Sequence, residues 1–247
     1  MSVTGAGDHT PMRVGIPIID TVSGIYAALG ITAALVARGR DGAGHHVQTS
    51  LLESALSIMS FQAQDYLSTG RVAEPNGNTH PTITPYGTFD TADFPIIIAT
   101  GSDKHWDSLC QVLGDPALAE RPEYRTGQSR LAHRDQLTKE LLELLSVRPA
   151  AEWVTLIRAA GIPCGPVHTI DQAFADPQVQ ALKMVQPVAT PDGGEVPLVR
   201  SPFWVDEETL PIRNAPPMVL GQDTAEVLGE FGLSEADIEG LRRDRVI

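Results

Sequence analysis

Apolar and polar positions alternate between two periods along this chain, and the change of period marks its elements. Val14 to Ile19 is an apolar run kept extended by Pro11 and Pro17. It ends on Asp20, after which Val22 to Ala37 is apolar almost throughout, the pattern of a helix buried between other elements. Gly39 to Gly44 is a turn, and His45 to Ser50 a short strand. Leu51 to Leu67 carries Leu52, Ala55, Leu56, Met59, Ala63 and Tyr66 at mixed three- and four-residue spacing, which predicts one helix. Gly87–Asp90 and Pro95–Thr100 read as strands around a turn at 91–94. Helices follow at Lys104–Leu113, Ser129–Leu145 and Arg148–Ala160, the last with Ser146 as a candidate cap. Short helical pieces at 170–175 and 177–182 lead to strands at 184–188 and 196–200 about the turn Asp192-Gly193-Gly194. Two short helices close the chain, and Ser234 with Asp237 three residues on resembles a capping box.

Interleaved strands and helices predict an α/β fold. The most polar, Gly- and Pro-bearing stretch, Ser68 to Asn78, is the best domain boundary. Residues Met1 to Pro11 read as a loop.

Composition narrows the function. The 247 residues are 42% hydrophobic, as in a soluble globular protein, and carry a net charge of −13. That charge repels phosphate backbones, so nucleic acid is not an expected partner. The two cysteines, Cys110 and Cys164, match no metal or redox spacing, and no signal peptide is evident, which together predict a cytoplasmic protein. The apolar stretch after Asp20 falls short of the ~20 residues needed to span a bilayer, so no membrane association is expected.

Candidate chemistry starts at Asp20. A carboxylate at the start of a helix is favoured by the free N–H groups and dipole there, which suits a plain N-cap. The same placement suits a carboxylate nucleophile. The glycines of Gly39–Gly44 follow a helix and precede a strand, the reverse of a dinucleotide-binding order. His45 and His46 would point to opposite faces of a strand, and the seven histidines show no metal-ligand spacing, so no metal is expected. The segment Gly77 to Tyr86, with Pro81 and Pro85, is a fixed loop of the kind that carries function.

Taken in order, these pieces resemble the class III coenzyme A transferase (CaiB/BaiF) family. The resemblance rests on Met12–Asp20 with Gly24, Gly42–Ala55, the Asn78–Tyr86 loop, Ala160–Val167, Asp176–Val179 and Leu220–Thr224. It implies part of a Rossmann-like large lobe (1–70, returning at 189–247) and a smaller α+β domain (71–188), in an interlocked dimer. It further implies transfer of coenzyme A between carboxylic acids through covalent intermediates on Asp20, with coenzyme A and acyl-CoA as substrates. Gly77, Asn78 and His80 fall on a loop that closes over the site in the family, where His80 is a candidate substrate contact; its other role is to brace the loop. Family members carry a large N-terminal half before the equivalent of Met1. The expected partners are therefore a second copy of this chain or a separate subunit supplying that half. Two alternatives stay open: an α-methylacyl-CoA racemase-like enzyme using acid/base chemistry, and a non-catalytic, partner-dependent subunit.

Overall fold

Pro17, which has no N–H to leave unpaired, precedes the first helix, α1, Ile18–Asp41. Gly42 closes it in the left-handed conformation (φ 73°), its N–H donating to the Arg38 carbonyl. A computed structural model describes residues 1–7 and 10–247; Asp8 and His9, inside the segment read as an N-terminal loop, lie outside them. The chain divides into two compact units, Met1–Val167 and His168–Ile247.

In the first unit α1 packs on α2 (Leu51–Ile58). The Tyr26 and Ser57 hydroxyls meet at 3.0 Å. Gly30 permits close approach, since a Cβ there would lie 2.9 Å from Val47 Cγ1. Ser50 caps α2 by accepting from the Glu53 N–H, and its hydroxyl donates to the Glu53 carboxylate at 2.7 Å. Three expectations change here. Residues 45–50 form no strand. The helix expected over 51–67 breaks at Met59, and α3 (Ser60–Thr69) restarts with Ser60 at φ 48°. α1 is not buried: none of its residues is, and Ile25 and Leu29 are 60% and 63% exposed. Among the described elements α2 makes its main helix contact. At 24 residues α1 is also longer than the apolar core implied, and by length and composition it could cross a membrane.

The hydrophobic core lies further along, between residues 89 and 162. Strands β1 (Tyr86–Phe89), β2 (Ile96–Ala99) and β3 (Cys164–Pro166) form an antiparallel sheet in that order. Ile96 and Ile98 point inward and are fully buried, while Ile97 between them is 43% exposed, the period of two that a half-covered sheet requires. Helices α4 (Asp103–Leu113), α6 (Arg134–Leu145) and α7 (Ala150–Ala159) supply the rest of the core through Trp106, Leu109, Leu137, Leu141, Trp153 and Ile157. A short helix, α5 (Gly127–Ala132), precedes α6 with a break at His133, where one continuous helix was expected. The cap of α7 also differs from expectation. Ser146 ends α6, and the first N–H of α7, on Ala150, donates to Asp93 Oδ1 at 2.7 Å across the sheet turn. That bond, helped by donors from Phe94 and Thr91, holds the Asp93 carboxyl below the usual carboxylate range.

The second unit holds two short helices, α8 (Ile170–Ala175) and α9 (Pro177–Ala181), the hairpins β4–β5 (Val185–Ala189, Glu195–Val199) and β6–β7 (Trp204–Val205, Glu208–Thr209), and α10 (Thr224–Glu230) and α11 (Glu235–Arg243). Buried Arg200 donates to the Lys183, Ser201 and Leu182 carbonyls. Ser234 and Asp237 form the expected capping box on α11. Helices and sheets are interleaved as expected, with every strand pair among the described residues antiparallel.

Candidate active site

Asp20 is the third residue of α1, in its first turn rather than at its cap, because Ile18 and Ile19 are already helical. The first turn is tied back by two hydroxyls. Thr21 donates to the Pro17 carbonyl at 3.0 Å and Ser23 to the Ile19 carbonyl at 2.7 Å. The Asp20 side chain is exposed and makes no hydrogen bond or ion pair with a described residue. Its negative charge lies at the positive end of the α1 dipole.

Asp20 opens onto a cleft of about 450 Å³. The walls are the segments Met1–Thr4 and Met12–Val14, the residues Ile16 to Ile19, and Ala55, Ile58 and Met59 of the α2 end. The cleft lining is mostly apolar. Among the described residues its polar side chains are Ser2, Thr4, Arg13 and Asp20. The N-terminal wall is folded on itself: the Thr4 N–H donates to the Met1 carbonyl, the Met12 N–H donates to the Thr4 carbonyl, and Gly5 bridges to Pro11. A preplaced, uncompensated carboxylate beside an apolar surface is suited to attack on a bound acyl group.

The second predicted group, Gly77, Asn78 and His80, lies on the loop before β1. Gly77 takes φ 59°, and a Cβ on it would come 3.1 Å from the Ala6 carbonyl. The Asn78 carbonyl packs so closely over β1 that a Cβ on Gly87 would lie 2.6 Å from it. The His80 ring is stacked between Tyr86 (centroids 5.0 Å apart) and Phe61 of α3 (6.0 Å). Its Nδ1 accepts from the Thr82 N–H at 3.2 Å, which places the proton of the neutral ring on Nε2. Arg134 donates to the His80 and Pro81 carbonyls at 2.7 and 3.2 Å. Burial, then the Arg134 charge, lowers the His80 pKa below its ordinary value of 6.5. All these contacts brace the loop. None of Gly77, Asn78 and His80 lines the Asp20 cleft. Both structures rest on the same N-terminal segment, whose Met1–Thr4 walls the cleft and whose Ala6 abuts Gly77.

The structure adds residues that the sequence reading passed over. Arg13 and the Met1–Thr4 turn enter the cleft although they belong to no regular element. The available signal was a cation, Arg13, just ahead of the apolar run that ends at Asp20.

The chain thus places an unpaired carboxylate in the first turn of a helix, beside an apolar cleft, in a mixed helix–sheet fold. Residues 1–224 match the family described as CoA-transferase family III, and the chain belongs to that family. The succinate–glutarate CoA-transferase of Agrobacterium fabrum is 34% identical over 231 residues, covering 94% of this chain and 58% of that protein. The human succinyl-CoA:glutarate CoA-transferase is 31% identical, over 93% of this chain and 52% of its own length. A crystal structure of a CAIB/BAIF family protein from Brucella suis superposes with a TM-score of 0.76 at 32% identity, covering 93% of this chain and 59% of that one. The chain thus spans about half to three-fifths of these relatives.

Proposed function

We propose that this chain carries the nucleophile of an enzyme that moves coenzyme A between carboxylic acids, and that the nucleophile is Asp20. The observation that carries the reading is Asp20 itself: among the described residues, the only acidic side chain lining the apolar cleft, in a family III chain. In the first step an Asp20 oxygen attacks the carbonyl carbon of the donor thioester. The C–S bond breaks, coenzyme A leaves as thiolate, and a mixed anhydride remains. The thiolate then attacks the Asp20 carbonyl, releasing the donor acid as carboxylate and leaving an aspartyl thioester. An acceptor carboxylate attacks that thioester, breaking its C–S bond and releasing coenzyme A as thiolate, to form a second anhydride. Thiolate attack on its acceptor carbonyl yields the new acyl-CoA and restores the Asp20 carboxylate. Each step exchanges one acyl bond for another, with no net proton change. Donors to the developing oxyanion are required, and backbone N–H groups of a glycine loop would serve.

The relatives' names pair succinate with glutarate, both dicarboxylic acids, so acids of that kind are the first to try. The exposed apolar faces of α1 to α3, including Ile25, Leu29, Leu52 and Phe61, serve as an assembly surface for a second copy or a subunit supplying the remainder of the family fold. We place the protein in the cytoplasm, where both free thiols, Cys110 and Cys164, would stay reduced.

The test is Asp20→Asn in the native assembly. Transfer should fall by more than about 1,000-fold with the circular dichroism spectrum unchanged. Transfer within tenfold of wild type would remove Asp20 as nucleophile.

A further inference from the structure

We propose that Arg13 is a specificity-determining residue of the Asp20 cleft, pairing with the far carboxylate of a dicarboxylic acid whose near carboxylate reacts at Asp20. This rests on the transfer reading for the identity of the reaction. Its own support is the make-up of the cleft. Among the described residues of its lining, Arg13 is the one cationic side chain and Asp20 the one anionic side chain. Arg13 makes no hydrogen bond or ion pair with a described residue, and the two do not pair with each other. Elsewhere in the chain, by contrast, Arg130, Arg134 and Arg200 are tied down by backbone carbonyls. Arg13 therefore has its planar fork of donors available, the geometry that binds a carboxylate through two parallel bonds.

The remaining walls suit the middle of such an acid. Val14, Ile16, Ile18 and Met59 offer an apolar surface to a short methylene chain. The surroundings also call for a local cation. A protein of net charge −13 repels a dianion, and Asp20 repels it again at close range. A guanidinium in the same cleft offsets both and fixes which end of the acid faces Asp20. A monocarboxylic acid of equal length would leave Arg13 unpaired and gains nothing from it.

The experiment compares glutarate with pentanoate as acceptors, using one donor, succinyl-CoA, and the native assembly. Because the donor half-reaction is common to both, the ratio of the two kcat/KM values isolates the acceptor. Arg13→Gln should lower that ratio about 10- to 100-fold, the range expected for loss of a hydrogen-bonded charge partner. Arg13→Lys, which keeps the charge but not the fork, should fall between. An unchanged ratio in Arg13→Gln overturns the proposal. A second measurement does not need turnover. Glutarate should protect Arg13 from an arginine-selective dicarbonyl reagent, read by peptide mass, and pentanoate should not; equal labelling overturns the proposal. If the wild-type assembly transfers coenzyme A to no acid, the transfer reading fails, and the labelling result alone decides whether Arg13 holds a dicarboxylate.

Discussion

Replacing Arg130 tests how the loop that carries Gly77 to Tyr86 is fastened to its unit. Arg130 is 2% exposed. Its Nε donates to the Thr84 carbonyl at 3.1 Å, one Nη to the Tyr124 carbonyl at 3.0 Å, and the other to Asp103 Oδ1 at 2.7 Å. Its guanidinium lies 5.3 Å from the centre of the Trp106 ring. Arg130→Met keeps the bulk and removes every donor. Asp103, whose side chain is 64% exposed, returns to water and costs little. Thr84 and Tyr124 are buried residues, so their carbonyls lose a charged donor with no ready replacement. At about 1.5–3 kcal/mol for each such bond, the expected loss over the two is about 3–6 kcal/mol. The cation–π contribution of about 1 kcal/mol is largely replaced by sulfur–ring contact. Urea unfolding followed by tryptophan fluorescence reports it, because Trp106 and Trp153 are buried in this unit while Trp204, in the other, is already half exposed. With an m-value of about 2–3 kcal/mol per molar urea, the midpoint should fall by about 1–3 M. Arg130→Lys should recover part of the loss. A cost below about 1 kcal/mol for the methionine variant, or a lysine variant no better than methionine, would refute the reasoning.

Two pH-linked predictions follow from the same unit. The His80 imidazole should titrate below 6.5 by NMR, and Arg134→Gln should move that midpoint upward; a midpoint above 6.5 would contradict the burial and charge assigned to it. Asp93 is ionised more readily in the fold than in the unfolded chain. Its contribution is thus complete above the unfolded value of about 4 and lost as pH falls below it. Asp93→Asn should be less stable than wild type at pH 7, and the difference should close below about pH 4. A difference that persists at pH 2 would show that charge on Asp93 is not what caps α7.

Much of the fold could be read from the sequence where local chemistry decides the structure. The β1–β2 hairpin follows from alternation of Ile96, Ile97 and Ile98 around a turn, and α11 from the Ser234–Asp237 pair, since both signals lie within a few residues. The misses have longer-range causes. The apolar spacing runs through Met59, yet Ser60 takes a left-handed conformation and splits α2 from α3. Ser146 is in the right place to cap α7, but Asp93, remote in sequence, holds the Ala150 N–H instead. The composition of α1 predicts burial, and burial depends on what lies against it; here its main helix contact is α2, and none of its residues is buried. In the candidate site, Asp20 stood out through its position between two apolar runs. Arg13 did not, because a lone cation in a Pro- and Gly-bearing lead-in has no periodicity to mark it, and only folding places it in the cleft with Asp20.

The most direct test of the central claim is to catch the acyl group on Asp20. The native assembly is incubated with succinyl-CoA and no acceptor, then treated with hydroxylamine, which converts an aspartyl thioester or anhydride to a hydroxamate, and the peptide containing Asp20 is weighed by mass spectrometry. The account predicts a hydroxamate on Asp20 that appears only with the acyl-CoA and is absent in Asp20→Asn. An active assembly whose Asp20 peptide stays unmodified, or whose hydroxamate forms on another carboxylate, would contradict it.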